Sequence, residues 1–193
     1  MQKLAHNDLY TLEDYARERA AFRARVLAHK QARVVRVGEH LTLVFEDRLT
    51  IQYQIQEILR VERVFEPAGI AEELEAYNPL IPDGSNLKAT MLIEYPDADE
   101  RARKLIELHD IENRVVLQIG NSTPVIAIAD EDLDRSTDTK TSAVHFLRFE
   151  LDAAQIAAFK SGAEVAIGID HPSYRERTLL DATTRSALAR DFD

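Results

Sequence analysis

Cysteine is absent from all 193 positions of the chain. Disulfide bonds, thiolate nucleophiles, zinc–thiolate centres and iron–sulfur clusters held by the chain itself are therefore excluded. A metal would need ligands from His, Asp, Glu or carbonyl oxygen. The six histidines are scattered, with no His-x-x-x-His or His-Glu-x-x-His pair. The sequence therefore leaves the cofactor and any metal unidentified.

Long apolar runs and several familiar motifs are also missing. No stretch approaches the roughly 18 to 20 apolar residues that a membrane-spanning helix needs. The N-terminal segment MQKLAHNDLY lacks the basic start and apolar centre of a secretory signal. The phosphate-binding patterns Gly-x-x-x-x-Gly-Lys-Ser/Thr and Gly-x-Gly-x-x-Gly do not occur, nor does the Gly-x-Ser-x-Gly nucleophile elbow. We therefore expect a soluble cytoplasmic protein with no membrane insertion.

Acidic residues outnumber basic ones, 34 to 24, which gives a net charge of −10. Such a charge disfavours nucleic acid and anionic lipid as partners. One segment is nevertheless strongly basic, with a single acidic residue among seven basic ones: Arg17, Arg19, Arg23, Arg25, Lys30, Arg33 and Arg36. We favour pairing of these groups with carboxylates of the same fold or of a homodimer. The alternative is that the first four arginines bind an acidic protein partner.

Apolar periodicity and turn residues predict helices that alternate with hairpins. Thr11 should cap a basic helix over 12–31, followed by a hairpin over 34–45 and a second one over 115–129. Further helices are predicted at 70–77, 99–109, 152–160 and from 181, and further strands at 87–95, 143–151, 164–169 and 174–180. The sequence thus predicts a single α+β domain over residues 1–193. Its sheet should be mostly antiparallel or mixed and built of hairpins, with flanking helices and a basic N-terminal helix.

The run from Arg48 to Phe65 fits two kinds of secondary structure. Apolar residues alternate in its first half as in a strand, whereas Ile51, Ile55 and Leu59 keep helical spacing. Strands rarely run for about 18 residues, so the length of this segment favours a helix.

His145 and Arg148 are candidate catalytic residues on the strand predicted over 143–151. Strand alternation places His145 on an apolar face and Arg148 on the opposite face. A histidine on an apolar face is more often a hydrogen-bonded core residue than a general base or a ligand, and we favour that interpretation.

Three further residues are candidate catalytic groups. His171 follows a strand end, where functional groups often lie, but its Asp-His-Pro context is equally typical of a turn. Glu57 and Arg60 lie three positions apart on the predicted helix. They could form a buried polar cluster, although an ion pair at the surface is the favoured interpretation.

The turn-rich loop before the strand at 87–95 is a candidate ligand-binding segment. Asp83, Ser85 and Asn86 with the nearby Lys88 could hold an anion through backbone N–H groups and the lysine charge. The segment matches no phosphate-loop pattern, so we favour a structural turn.

Six segments spread over most of the chain carry a family resemblance: Asp8–Tyr10, Tyr15–Arg17, Leu41–Arg48, Tyr77–Pro82, Val144–Phe149 and Ile169–Pro172. Together they resemble an uncharacterised bacterial family, domain of unknown function thirty-five-oh-one. The resemblance carries over no catalytic residues, because no activity is established for the family. Genes of the family often lie beside genes for rubrerythrin or for an iron–sulfur protein similar to heterodisulfide reductase subunits. The resemblance therefore implies a redox or peroxide-related setting.

Two functional hypotheses follow, and neither names a reaction. The favoured one is an accessory or interaction protein for an iron–sulfur redox protein or a rubrerythrin-like protein. The alternative is a small-molecule or metal-dependent enzyme that uses His145, Glu57, Arg148 or His171, with the segment Tyr77–Lys88 as a lid.

Overall fold

The computed structural model describes residues 1–193 and contains six α-helices and nine β-strands. The helices are α1 (Leu12–Gln31), α2 (Arg48–Glu62), α3 (Pro67–Tyr77), α4 (Ala98–Glu107), α5 (Ala153–Lys160) and α6 (Ala182–Ala189). The strands are β1 (Val34–Val37), β2 (Leu41–Glu46), β3 (Asn86–Ile93), β4 (Val115–Ile119), β5 (Val125–Ile126), β6 (Ile128–Ala129), β7 (Val144–Glu150), β8 (Val165–His171) and β9 (Tyr174–Leu179). The predicted α+β class is confirmed.

The strands form two sheets, and every pairing in them is antiparallel. One sheet has the order β1-β2-β3-β7-β6 and the other the order β5-β4-β8-β9. A cluster of 26 buried residues draws on both sheets and on the C-terminal helices. None of the helices combines the length and the apolar content that a membrane crossing requires.

The two sheets meet at both of their margins. At one margin the predicted strand over 125–129 changes sheets at Ala127, because β5 pairs with β4 while β6 pairs with β7. At the other margin the side chains of β9 bond to the backbone of β1. The Tyr174 hydroxyl donates to the carbonyl of Val37 at 2.7 Å, and the Thr178 hydroxyl donates to that of Arg36 at 2.8 Å.

The segment from Arg48 to Phe65, which fitted both a strand and a helix in the sequence, forms helix α2 over Arg48–Glu62, as its length indicated. Asp47 caps α2 by accepting from the N–H groups of Leu49 and Thr50, and Arg63 ends it in the left-handed conformation. Helical spacing brings Ile51, Ile55 and other apolar residues onto one buried face, which packs against α3. That burial stabilises the helix over the strand that the local alternation also allowed.

Helix α1 has the bounds predicted for it, with Thr11 accepting from the N–H of Asp14. It packs against the other elements along a narrow strip, since only Tyr15, Phe22 and Val26 are buried along its 20 residues. Its remaining surface, which carries most of the arginines, faces solvent.

Arg33 is the exception within the basic segment, because it is only 1% exposed. Its guanidinium donates to the carbonyl oxygens of Phe45 and Glu46 and to the carboxylate of Asp191, and it lies 3.4 Å from Asp47 Oδ2. This residue therefore connects the start of the first sheet to the 3-10 turn after α6.

Candidate ligand-binding site

A cavity of about 220 Å³ opens on the outer face of the first sheet, above β3 and β7. One wall is apolar and the other is charged. The lining residues are Ala76, Pro79, Leu80, Phe146 and Leu147 on the apolar side, and Lys88, Arg148, Glu131 and Asp132 on the charged side.

The antiparallel register places two of the sequence candidates side by side in this cavity. Lys88 of β3 is the direct partner of Arg148 of β7. Residues opposite each other in such a pair have Cβ atoms about 4.5 to 5.5 Å apart. Two cations 60 positions apart in the sequence thus meet on one face of the sheet, although no sequence pattern linked them.

The Arg148 guanidinium is already paired with carboxylates. Its Nε and Nη2 donate to the two oxygens of Glu131 at 2.7 and 2.8 Å, and Nη1 donates to Glu150. The hydrogen bonds that Arg148 donates to Glu131, together with the one that it donates to Glu150, raise the pKa of Arg148 above its usual value. The guanidinium is therefore a fixed charge that two carboxylates compensate.

Lys88 has no such compensation. It is half-buried, it lines the cavity, and it takes part in none of the ion pairs or side-chain hydrogen bonds of the chain. Burial lowers the pKa of Lys88, and the charge of Arg148 lowers it further, against the opposing effect of Glu131, Asp83 and Glu150. An amine with a lowered pKa in a cleft is a recognised mark of a functional site.

The segment after β6 forms the rim of the cavity. Arg135 lies over the ring of Phe146, 4.4 Å from its centroid, and pairs with Asp132 at 2.7 Å and with Asp130 at 3.3 Å. The charges of Arg135, like those of Arg148, are thus balanced by neighbouring carboxylates. Lys88 is the cation of the site that forms no ion pair with a carboxylate.

The other residues of the candidate ligand-binding loop support the cavity from outside. The Ser85 hydroxyl lies 2.8 Å from Asp83 and 2.7 Å from Glu150, and the Asn86 side chain donates to Glu150 at 3.3 Å. Ser85 and Asn86 therefore hold the carboxylate of Glu150, which in turn binds Arg148, while Asp83 contacts Ser85. Of the four predicted ligand-binding residues, only Lys88 lines the cavity.

Glu46 of β2 is the direct partner of Lys88 in the pairing of β2 with β3. The two side chains therefore lie on the same face of the sheet. It is 2% exposed, and the Thr90 hydroxyl donates to its Oε1 at 2.7 Å. Its Oε2 is buried without a hydrogen-bond partner. Lys88 thus stands between a fixed guanidinium and a buried carboxylate.

His145 lies on the opposite, inward face of β7 and is fully buried. Its Nδ1 is 2.5 Å from Asp130 Oδ2, and its Nε2 is 2.7 Å from the Thr141 hydroxyl and 3.1 Å from the Ser142 carbonyl oxygen. Both ring nitrogens are therefore engaged by the segment that leads from β6 to β7. No bound molecule could reach the ring without displacing that segment.

Two carboxylates of this cluster were not among the sequence candidates. Glu112 is buried and accepts from the hydroxyls of Thr141 and Ser136, and Asp130 binds His145. Neither residue belongs to a local motif, so no sequence pattern indicated a role for them. The chain contains no group of three or more His, Asp or Glu side chains arranged to hold a metal ion.

The remaining catalytic candidates lie apart from the cavity and from one another. Glu57 is bound by Arg19, whose Nε and Nη2 each donate to it at 2.7 Å, and by the Tyr15 hydroxyl at 2.6 Å. The favoured pair of Glu57 with Arg60 does not form, because Arg19 of the neighbouring helix occupies the carboxylate. His171, the last residue of β8, is buried, and its Nε2 lies 3.0 Å from the carbonyl oxygen of His109.

The four arginines predicted to bind a partner differ in their surroundings. Arg19 is committed to Glu57, and Arg17 pairs with Asp14 on its own helix. Arg25 lies over the ring of Phe22 at 5.0 Å, and Arg23 is exposed. Only Arg23 and Arg25 therefore present charges without a carboxylate partner.

Comparison with known proteins identifies a family for this chain but no activity. The family model described as Protein of unknown function (DUF3501) matches residues 3–192. A crystal structure of a novel protein of unknown function from Burkholderia pseudomallei K96243 is similar to this chain, with 51% sequence identity, a TM-score of 0.95 and coverage of 100% of both chains. A search of curated proteins found no match. The resemblance identified from the six sequence segments is confirmed, and the chain belongs to the DUF3501 family.

Proposed function

We propose that the chain binds a small, largely apolar organic molecule in the Lys88 cavity through one acceptor group, a carboxylate or a carbonyl oxygen. The observation that carries the proposal is the half-buried Lys88 ammonium, which forms no ion pair and no hydrogen bond with a carboxylate and lines a cavity with an apolar wall. Partial burial of an unpaired charge is unfavourable, and a ligand oxygen would relieve that cost.

The shape and charge of the cavity limit the ligand. About 220 Å³ is below the roughly 300 to 1,000 Å³ typical of drug-sized sites, so the molecule should be small. Pro79, Leu80 and Phe146 would contact its apolar part. A second anionic group would face Glu131 and Asp132, which line the same cavity, so a singly charged or neutral ligand fits best.

Binding can be measured by ligand-observed NMR with benzoate, butyrate, benzaldehyde and the dianion succinate. We expect the monocarboxylates or the aldehyde to bind and succinate to bind more weakly. Lys88→Met should abolish binding, because it keeps the length of the side chain and removes the ammonium. Lys140→Met, at an exposed position, is the matched control. Equal binding to both variants would refute the proposal.

As a second candidate function we propose an accessory role, for which one observation favours an acidic partner protein; the redox character of that partner is what the family resemblance implies. Arg23 and Arg25 are exposed on α1 without carboxylate partners, which leaves their charges available to an acidic protein. We also propose a cytoplasmic location, as expected from the sequence. Fractionation of the host cells with an antibody against the chain tests that location.

A further inference from the structure

We propose that Lys88 binds its ligand covalently. Its amine forms an imine with the carbonyl carbon of a small apolar aldehyde. This inference rests on the proposed function, since it requires that the cavity admits the ligand, and it adds the substrate class and the bond that forms. Three features of the site support it.

The first feature is the free amine itself. An amine that attacks a carbonyl must have no carboxylate fixed to it, and Lys88 is the half-buried lysine of this site without an ion pair. The Lys104 and Lys160 amines, by contrast, each pair with a carboxylate, at 2.8 Å from Glu107 and at 2.5 Å from Asp193. Lys88 thus combines access to the cavity with an unengaged nitrogen.

The second feature is the fixed guanidinium beside it. Arg148 stands opposite Lys88 in the register, and Glu131 and Glu150 both form ion pairs with its guanidinium. Burial favours the neutral form of the Lys88 amine and so lowers its pKa, and the charge of Arg148 acts in the same direction, against the opposing charges of Glu131, Asp83 and Glu150. Desolvation next to a second cation is a known way to activate a lysine nucleophile.

The third feature is the apolar wall formed by Leu80, Pro79 and Phe146. It suits an aldehyde with an alkyl or aromatic body and disfavours hydrated, highly charged molecules. The carboxylates on the charged side are Glu131 and Asp132, and each is already bound by an arginine. The ligand therefore needs no second charged group.

The reaction balances without an oxidant or a reductant. The amine lone pair attacks the carbonyl carbon, and the carbon–oxygen π pair moves to oxygen, which takes up a proton. The nitrogen loses one proton, the hydroxyl group takes up a second proton and leaves as water, and loss of the remaining nitrogen proton leaves a neutral carbon–nitrogen double bond. The cavity opens to solvent, so water can exchange both protons. The net change is an amine and an aldehyde converted to an imine and water.

The experiment is reductive trapping on the whole chain. The protein is incubated near neutral pH with benzaldehyde or propionaldehyde and cyanoborohydride, and alkylation at each of the six lysines is followed by peptide mass spectrometry. Lys88 should react faster than the exposed Lys3 and Lys140, since its lowered pKa leaves a larger fraction of the amine neutral near neutral pH. Its rate should also level off at a lower pH than theirs.

Two variants separate this inference from the proposed function. Lys88→Met should lose the fast site while Lys140→Met keeps it. If Lys88 is alkylated no faster than Lys3 and Lys140 while benzoate still binds in a Lys88-dependent way, the imine is wrong and the binding site stands. If neither fast alkylation nor Lys88-dependent binding occurs, both proposals are wrong.

Discussion

Arg33 and Asp191, 158 positions apart in the sequence, form an ion pair in which both side chains are almost fully buried. Breaking such a pair by removal of one partner leaves an uncompensated charge in the interior. We therefore predict that Arg33→Met lowers the free energy of unfolding by about 3 to 5 kcal/mol. Urea unfolding followed by circular dichroism measures the change. The control Arg23→Met, at an exposed position of α1, should stay within about 0.5 kcal/mol of the parent.

The same pair should make stability depend on pH in the acidic range. Burial raises the pKa of Asp191 to about 6 from its ordinary 3.8, although Arg33 opposes this shift. Below about pH 4 the carboxyl is protonated in both states. As the pH rises towards about 6, the unfolded chain releases the proton first, so unfolding becomes more favourable. Folding stability from this group is thus present at low pH and is lost as the pH rises.

Asp191→Asn removes this titration and gives the measurement. The stability of the parent chain should fall relative to the variant by about 3 kcal/mol between about pH 4 and 6. Any constant offset from the altered contact with Arg33 does not affect the slope. A difference between the two proteins that stays flat across this range would show that Asp191 is ionised throughout.

His145 should be a structural residue rather than a ligand. We predict that His145→Ala lowers the free energy of unfolding by about 3 kcal/mol, because it leaves Asp130 and the buried Thr141 without their partner and opens a void. At temperatures where the variant is folded, benzoate binding at Lys88 should persist. His6→Ala, at an exposed position, is the control. Loss of binding in a variant with native circular dichroism would instead give His145 a functional role.

Arg148 should control the reactivity of Lys88 without touching the ligand's carbonyl. Arg148→Met removes a nearby positive charge and frees Glu131 and Glu150, and both effects raise the pKa of Lys88. We expect reductive alkylation of Lys88 to slow and its pH profile to move to higher pH. A purely structural role for Arg148 would change the stability and leave the profile of the remaining folded protein in place.

A test of the accessory hypothesis should change fewer arginines than the four that the sequence indicated, because Arg17 and Arg19 are paired with carboxylates. Reversal of Arg19 would place two carboxylates together at Glu57 and weaken the attachment of α1 to α2, so it cannot report on partner binding alone. We predict that Arg23→Glu with Arg25→Glu weakens capture of an iron–sulfur or rubrerythrin-like protein from the native host while the fold survives. Capture that is unchanged in this double variant would rule out that surface of α1.

Local signals account for most of the fold. Thr11, Asp152 and Asp181 each accept a first-turn N–H at the start of a helix, and these caps placed α1, α5 and α6 within one or two residues. Helix α3 begins earlier than predicted, at Pro67, because proline fits the first helical position. What local signals could not give was the change of sheet at Ala127, which depends on pairing with β7 far along the chain.

The candidate site was harder to predict for the same reason. Lys88 and Arg148 were both selected from the sequence, but for separate and unrelated roles. Only the register of β3 with β7 makes them neighbours, and the pairing of strands so distant in sequence depends on the whole core. Glu57 and Arg60 show the converse case, because a helical spacing predicted an ion pair that Arg19, from another helix, replaces.

The pairing of β3 with β7 also has a kinetic consequence. Met91 and His145 are register partners more than fifty positions apart, whereas the hairpins of β1 with β2 and of β8 with β9 close within a few residues. Loop-closure entropy favours the short hairpins, and contacts between distant segments form slowly. The hairpins should therefore assemble early and the central pairing late. Since Lys88 and Arg148 become neighbours only through that pairing, we expect the cavity to form after the hairpins.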